Sequence, residues 1–251
     1  MQLQDLLFTQ GFGTRRVCAG LVQRGFVALQ QQGDGDAPAR WLICDDPAAD
    51  VQEDGLRFIL QGQAWEYHRH AYIAMYKPAG VECSQKPSAY PSVYSLLPTP
   101  LRQRPAKGAV QGVQAIGRLD QDTTGLLLLS DDGQFIHRMS SPKKQVPKVY
   151  RVTAKHPVTD AQIERLLAGV VLDDDPRPVQ AAECERRQEH VIDLTLTSGK
   201  YHQVKRMLAA VGNRVEALHR SRIGGLQLPP NLAPGAWCWL YHAQLELLRQ
   251  A

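Results

Sequence analysis

Four consecutive leucines, Leu126, Leu127, Leu128 and Leu129, constrain the fold of this chain more than any other stretch. An apolar run that short, closed by Ser130-Asp131-Asp132-Gly133, predicts a buried strand. Before it stand Ala115-Ile116-Gly117-Arg118-Leu119-Asp120 and a polar turn over 121–125. Asp120 is therefore expected on a loop that leads straight into the core, where burial begins to tune ionisable groups. If 117–120 is extended, Arg118 and Asp120 project from the same face. Asp before Thr-Thr-Gly is also ordinary turn chemistry, with the carboxylate accepting from nearby backbone N–H groups. The residues alone leave both readings open.

The 251 residues allow one or two domains. At 43% hydrophobic the chain can build a core, and no apolar stretch reaches the length of a membrane span. The start, MQLQDLLFTQ, lacks the basic and apolar segments of a secretory signal. The five cysteines are scattered with no C-x-x-C pair, which argues against a zinc site or a disulfide framework and fits a reducing cytoplasm. A net charge of +4 is mild, so its distribution matters more than its size.

Residues 1–30 predict a helical unit. Leu3, Leu6 and Leu7 follow a helical period that Gly11 and Gly13 stop. Thr14 is a candidate N-cap for a second helix carrying Val17 and Leu21 and ending at Gly25, with a strand over 26–29. Arg15, Arg16 and Arg24 make one side basic. Residues 30–40 read as loop, 56–60 as a strand after the Asp54-Gly55 turn, and 61–70 as a linker. This divides the chain into domains at 1–64 and 65–251.

The second domain opens with a strand over 71–76 that stops at Lys77-Pro78-Ala79-Gly80. Residues 87–113 show no period and predict a long loop carrying Arg102, Arg104 and Lys107. A short helix is expected over 134–139, then a basic loop with Lys143 and Lys144, then a strand over 148–154 with Tyr150, Val152 and Ala154 on one face. By itself Tyr150 suits a core tyrosine with its hydroxyl tied to a partner. Thr159 to Gln162 reads as a capping box for a helix ending at Gly169, and 173–175 as an exposed acidic turn. Over 190–197, Ile192, Leu194 and Leu196 alternate inward and Asp193, Thr195 and Thr197 outward. Val204, Met207, Leu208 and Val211 form a helical face capped at Gly212, with Lys205 flanking it and Arg206 nearly opposite. From 198 to 222 there are six Lys or Arg and one acidic residue, so this helix lies in a basic region. Residues 233–251 predict a strand and a closing helix.

Three of these stretches share one likeness. GRLD at 117–120 followed by DTTGLLLL at 122–129 resembles the signature of the ribosomal RNA pseudouridine synthases, as do K-x-Y at 148–150 and GKYHQVKRM at 199–207, in the family's order. The Lys77–Gly80 turn also fits, and LHRSRIGGLQL at 218–228 is similar to the branch acting on small-subunit RNA. TRRVCAGLVQRGFVAL at 14–29 resembles the small RNA-binding module named for ribosomal protein S-four, although QLQD and QQGDGDAP depart from its pattern.

The resemblance implies an α+β fold: an S-four-like N-terminal module, then a catalytic domain on a mixed, largely antiparallel sheet. It implies isomerisation of a uridine to pseudouridine in small-subunit (16S) ribosomal RNA by a monomeric cytoplasmic enzyme without cofactor or metal. Asp120 would be the catalytic nucleophile or base, Tyr150 would stack on the uracil, and Lys205, at a position that is arginine in many members, would pair with Asp120. Because a base cannot be reached inside a duplex, it must leave the stack, and Arg118 would fill the vacated space. Lys77, Lys148, Lys143, Lys144, Lys200, His202, Gln203 and Arg206, with Arg15 and Arg16 of the first module, would contact RNA. The alternatives are a non-catalytic assembly factor on the same scaffold, a synthase acting on large-subunit RNA, and a hydrolase using Asp120 and Asp122 together. The Thr-Thr-Gly turn argues against the last, since residues two apart share a face only when extended.

Overall fold

The four leucines lie inside a nine-stranded sheet, each at most 1% exposed, in a computed structural model that describes residues 1–31, 39–106, 110–173 and 175–249. The chain forms two compact units: Met1–Ala71 with Leu97–Gln114, and Tyr72–Leu96 with Ala115–Ala251. No described helix is long and apolar enough to cross a membrane.

In the first unit, α1 (Leu3–Thr9) buries Leu3, Leu6 and Leu7, and α2 (Arg15–Gln23) is capped by Thr14, whose side chain accepts from the Val17 amide. The apolar face of α2 is shifted from expectation. Cys18 and Val22 are buried, while Val17 is 50% exposed. The strands β1 (Val27–Gln31), β2 (Arg40–Ile43), β3 (Arg57–Leu60) and β4 (Gln63–Glu66) form an antiparallel sheet in the order β2-β1-β3-β4. The expected linker over 61–70 thus contains a strand, and Tyr67 is in the core.

The long loop expected over 87–113 is also more ordered than its lack of period suggested. It includes a 3-10 turn, Val93–Leu96, and α3 (Thr99–Gln103), and from Leu97 it belongs to the first unit. The reason is Arg104. It is 2% exposed and donates to Gln10 Oε1 and to the His68 and Arg69 carbonyls, so its guanidinium ties this excursion to the unit's core. Positions 32–38 of the loop expected at 30–40, Lys107, and Asp174 of the acidic turn lie outside the described residues.

The second unit is built on β5 (Tyr72–Lys77), β6 (Gln114–Ile116), β7 (Thr124–Ser130), β8 (Lys148–Ala154), β11 (Glu183–Gln188), β12 (Val191–Leu196), β13 (Val215–Ile223), β14 (Leu226–Gln227) and β15 (Trp237–Trp239), with β9 (Val170–Leu172) and β10 (Asp175–Val179) as a separate hairpin. The main order is β11-β12-β8-β13-β7-β5-β15, with β14 on β13 and β6 on β7. The β7–β13 pair is parallel and the other neighbours along that order are antiparallel, which makes the sheet mixed. β7 needs no polar alternation because both its faces are covered. At its start, Gly125 (φ +109°) lies against β13, where a Cβ would sit 2.2 Å from the Arg220 carbonyl oxygen, so only glycine fits.

Two cores lie in the second unit, of which the first packs against this strand. Leu126 and Leu128 pack with Ala74, Ile223 and with Phe135 and Met139 of α4 (Gly133–Ser140). Val152, Ile192, Leu194 and Leu218 pack with Leu166 of α5 (Asp160–Ala168) and with Val204, Met207 and Leu208 of α6 (Gln203–Ala210). Each such side chain contributes roughly 1.5–3 kcal/mol on burial, enough to fix how α6 rotates over the sheet. The capping box at Thr159 and Gln162 forms as expected, and the chain closes with α7 (His242–Leu247). On β12, Asp193 and Thr195 do face away from Ile192, but they are buried rather than solvated. Arg151 and Arg187 cover Asp193, and Glu183 bonds Thr195.

Candidate active site

Asp120 sits between β6 and β7 on a loop held from beneath by two buried cations. Lys77, fully buried, donates from Nζ to the carbonyls of Pro78 (3.0 Å), Gln121 (3.3 Å) and Thr123 (2.8 Å). Arg220, 1% exposed, donates from Nε to the Leu126 carbonyl at 2.8 Å and from Nη2 to that of Gly117 at 3.1 Å, closing both ends of the loop. The Thr123 amide donates to the Asp120 carbonyl, which makes the turn, and Gly80 donates to Gln121. A turn does form here, but through the backbone carbonyl of Asp120 and not through its carboxylate, which faces the cavity.

Lys77 was expected among RNA contacts. With no exposed surface it cannot meet a phosphate, and it is instead a support of the loop. Gln203 is corrected in the same way. It is 4% exposed and its amide bonds Ser198 Oγ and the Lys200 amide, which ties down the start of α6.

The helical phase expected for α6 is observed. Val204, Met207 and Leu208 are buried, and Lys205 flanks them. Its Nζ lies 3.2 Å from Asp120 Oδ2. His202, at the N-cap, has φ 48° and ψ 32°. A non-glycine residue in the left-handed region is an uncommon conformation that clusters at functional sites. It places His202 Nε2 3.4 Å from Asp120 Oδ1 and stacks the ring on Tyr201 at 3.8 Å. Arg206 points elsewhere and donates to the Tyr201 carbonyl.

These residues rim a cavity of about 400 Å³ whose lining includes Arg118, Asp120, Lys148, Tyr150, Lys200 and Lys205. Such a volume is on the scale of small-ligand pockets. Tyr150 is half-buried on β8, packed against the α6 core, and its hydroxyl has no hydrogen-bond partner among the described residues. A core tyrosine normally ties its hydroxyl, so this one is available to a ligand. Arg118 is exposed at the rim.

The remaining expected contacts are elsewhere. Lys143 and Lys144 are exposed on a 3-10 turn and do not line the cavity. Arg16 is exposed on α2 of the first unit, and Arg15 beside it is ion-paired with Asp5 at 2.6 Å and lies over the Phe8 ring.

Lys148 donates to the Val146 carbonyl, and burial, with the nearby Arg220 charge, pushes its ammonium down to about 8. A lysine depressed in the folded state is charged there at a cost, so the unfolded chain holds more protons between about pH 8 and the ordinary lysine value of 10.5. Lys148→Met is therefore expected to melt higher than wild type below pH 8, with the difference shrinking as pH rises through that window. Thermal denaturation of both proteins across pH checks this; a constant difference would show that Lys148 is not titrating there.

Three residues were not anticipated. Arg220 had a signal, since it alternates with Leu218 on the inward face of β13. Tyr201, 72% exposed beside the cavity, is an aromatic within a basic stretch. Asp122 was set aside on the ground that the turn would separate it from Asp120. The turn instead brings both carboxylates to one ammonium, with Lys205 Nζ 2.7 Å from Asp122 Oδ1. Among the described residues no three His, Cys, Asp or Glu side chains gather as metal ligands.

A family model described as RNA pseudouridylate synthase matches residues 71–210. Ribosomal small subunit pseudouridine synthase A of Escherichia coli (strain K12) is 37% identical over 233 residues, covering 93% of this chain and 94% of that protein. An uncharacterized RNA pseudouridine synthase of Bacillus subtilis (strain 168) is also 37% identical, over 100% of this chain and 99% of its own. A crystal structure of a pseudouridylate synthase superposes with a TM-score of 0.65 at 29% identity, covering 99% of each chain.

Proposed function

Because this chain belongs to the RNA pseudouridine synthases, we propose that it converts a specific uridine of small-subunit (16S) ribosomal RNA to pseudouridine with Asp120 as the attacking group. The observation that carries the reading is the Asp120 carboxylate, held on a pinned loop at 3.2 Å from Lys205 and facing a cavity that Tyr150 also lines. The relatives named for the small subunit, and the LHRSRIGG stretch, support that choice of RNA.

The reaction breaks the N1–C1′ bond, forms a C5–C1′ bond, and moves a proton from C5 to N1, so mass is unchanged. The uridine must first leave its stack. Arg118, exposed at the rim, is placed to fill the gap with its planar guanidinium. Lys205 sets a positive charge 3.2 Å from the Asp120 carboxylate, and Tyr150 supplies a ring face for the uracil and a hydroxyl near its edge. The first unit adds a second, S-four-like phosphate contact through α2, chiefly Arg16, and the second unit has basic surface of its own in the exposed lysines at 143 and 144. Phosphate contacts position without reading sequence, which suits a tethered second arm.

Mapping of modified uridines in ribosomal RNA from cells with and without the gene tests the assignment. One site in small-subunit RNA should disappear. Loss of a large-subunit site would reassign the substrate, and an unchanged map with defective assembly would favour a non-catalytic role.

Tyr150→Phe keeps the ring and removes only the hydroxyl, which has no bond among the described residues. Folding stability is expected to change by less than about 0.5 kcal/mol, the usual range for groups outside bonded networks. Product formation should slow while RNA stays bound or adducted. A rapid-quench time course checks this, and full activity would leave Tyr150 as a packing residue.

A further inference from the structure

Lys205 does not serve Asp120 alone. Its Nζ lies 2.7 and 2.8 Å from the two carboxylate oxygens of Asp122, closer than the 3.2 Å to Asp120 Oδ2. The Asp122 side chain is 53% exposed against 28% for Asp120, and Asp122 does not line the cavity. It is therefore not placed to touch a substrate base. What it touches is the cation that touches Asp120.

We propose that Asp122 is a positioning residue: it anchors the Lys205 ammonium through both carboxylate oxygens, so that the cation stays charged and in place while Asp120 is consumed as nucleophile. This rests on the reading of Asp120 as the attacking group.

When an Asp120 oxygen bonds to a substrate carbon, its carboxylate becomes a neutral ester and an electron pair moves onto the uracil. If the attacked carbon is C1′, the N1–C1′ bond breaks and the pair leaves with the base. If it is C6, the pair stays in the ring as an enolate, and the N1–C1′ bond then breaks with its own pair going to N1, leaving C1′ electron-deficient until C5 bonds to it. In either case Lys205 loses one anionic partner at that moment. The pair is returned when C5 bonds to C1′ and the ester opens, with C5 giving up its proton and N1 taking one. Throughout, Asp122 keeps its charge. A lysine on a flexible four-carbon stem gives up much rotamer freedom to be held. A bidentate anchor fixes it before the reaction begins, which is the condition for a preorganised charge.

The shared geometry has a second effect. Asp122 takes the shorter hydrogen bonds, which leaves Asp120 with a longer contact and more of its lone-pair density free to attack. Burial of Lys205 works to release its proton, but the bonds to Asp122 and Asp120 outweigh this and hold it above the ordinary lysine value.

The test is a set of variants assayed under single turnover, with RNA affinity measured alongside. Asp122→Asn should lower the rate about tenfold or more and change RNA affinity less than threefold, the scale on which members of one ion-pair network couple. Asp122→Glu should restore part of the rate. In a Lys205→Met background, Asp122→Asn should cost less than about threefold, because a residue that acts through Lys205 has nothing left to position. Equal loss in both backgrounds, or no loss in the native one, would overturn the proposal. Asp120→Asn is run in parallel. If it is inactive while Asp122→Asn is unimpaired, only this inference falls; if it turns over, the reading of Asp120 falls with it.

Discussion

Asp120→Asn is expected to reduce turnover by about 10⁴-fold or more, the scale of removing a nucleophile, with the fold and RNA binding retained. The structure gives the reason for that separation. The loop carrying Asp120 is held through its carbonyls by Lys77 and Arg220, and its turn is closed by the Thr123 amide bonding the Asp120 carbonyl. None of these bonds uses the Asp120 carboxylate. Asn has nearly the same shape and still offers one oxygen to Lys205, and Asp122 remains to neutralise that cation. What disappears is the anionic oxygen that attacks. A single-turnover assay beside a binding titration separates the two properties. Substantial residual turnover rejects Asp120 as the reacting group, and loss of binding with turnover would make it a substrate contact.

The second large effect is expected at Lys205. Lys205→Met should lower the rate about 10²–10³-fold, as loss of a preorganised charge does, and for more than one reason. The ammonium contacts Asp120 at 3.2 Å and Asp122 at 2.7 Å, so its removal leaves two carboxylates facing each other without a cation between them. Like charges that close cannot both remain ionised without cost. Either one takes up a proton or the loop moves, and both outcomes disable attack. Lys205→Arg should be tolerated better, since a guanidinium stays charged and its fork has donors for both acids. Arg206→Met is the control for helix phase. Arg206 donates to the Tyr201 carbonyl and not to either acid, so its loss should be milder. If Arg206→Met is the more damaging of the two methionine variants, the assignment of Lys205 is wrong.

Where sequence reasoning succeeded, the information was local. Four leucines in a row with turn residues at the end specify a covered strand. Thr159 and Gln162 specify a capping box at fixed spacing, and it forms with both bonds made. The face of α6 follows from its own period, and that period alone places Lys205 beside the buried stripe and Arg206 off it. The three motifs carried the family because each is a contiguous stretch, and 71–210 is where the family model matches.

Where it failed, the deciding partner lay outside the periodic pattern, in several cases far away in the chain. Lys77 has the look of a surface lysine until Gln121 and Thr123, more than 40 residues on, surround its ammonium with carbonyls. Gln203 reads as an RNA contact until Ser198 and the Lys200 amide take up its amide group. Asp193 alternates outward on β12, yet Arg151 and Arg187 cover it. Residues 97–106 have no period of their own, and their place depends on Arg104 reaching Gln10 and His68.

Sequence by itself therefore determined the buried β7 strand, the phase of α6, the family, and the identity of Asp120, Tyr150 and Lys205 as residues worth testing, because periodicity, capping and contiguous motifs act over a few residues. Only the tertiary structure decided which cations are buried supports and which face the cavity, and that Asp122 shares Lys205 with Asp120. Burial and ion pairing are set by whatever the fold brings within about 3–4 Å, and no spacing along the chain encodes that distance.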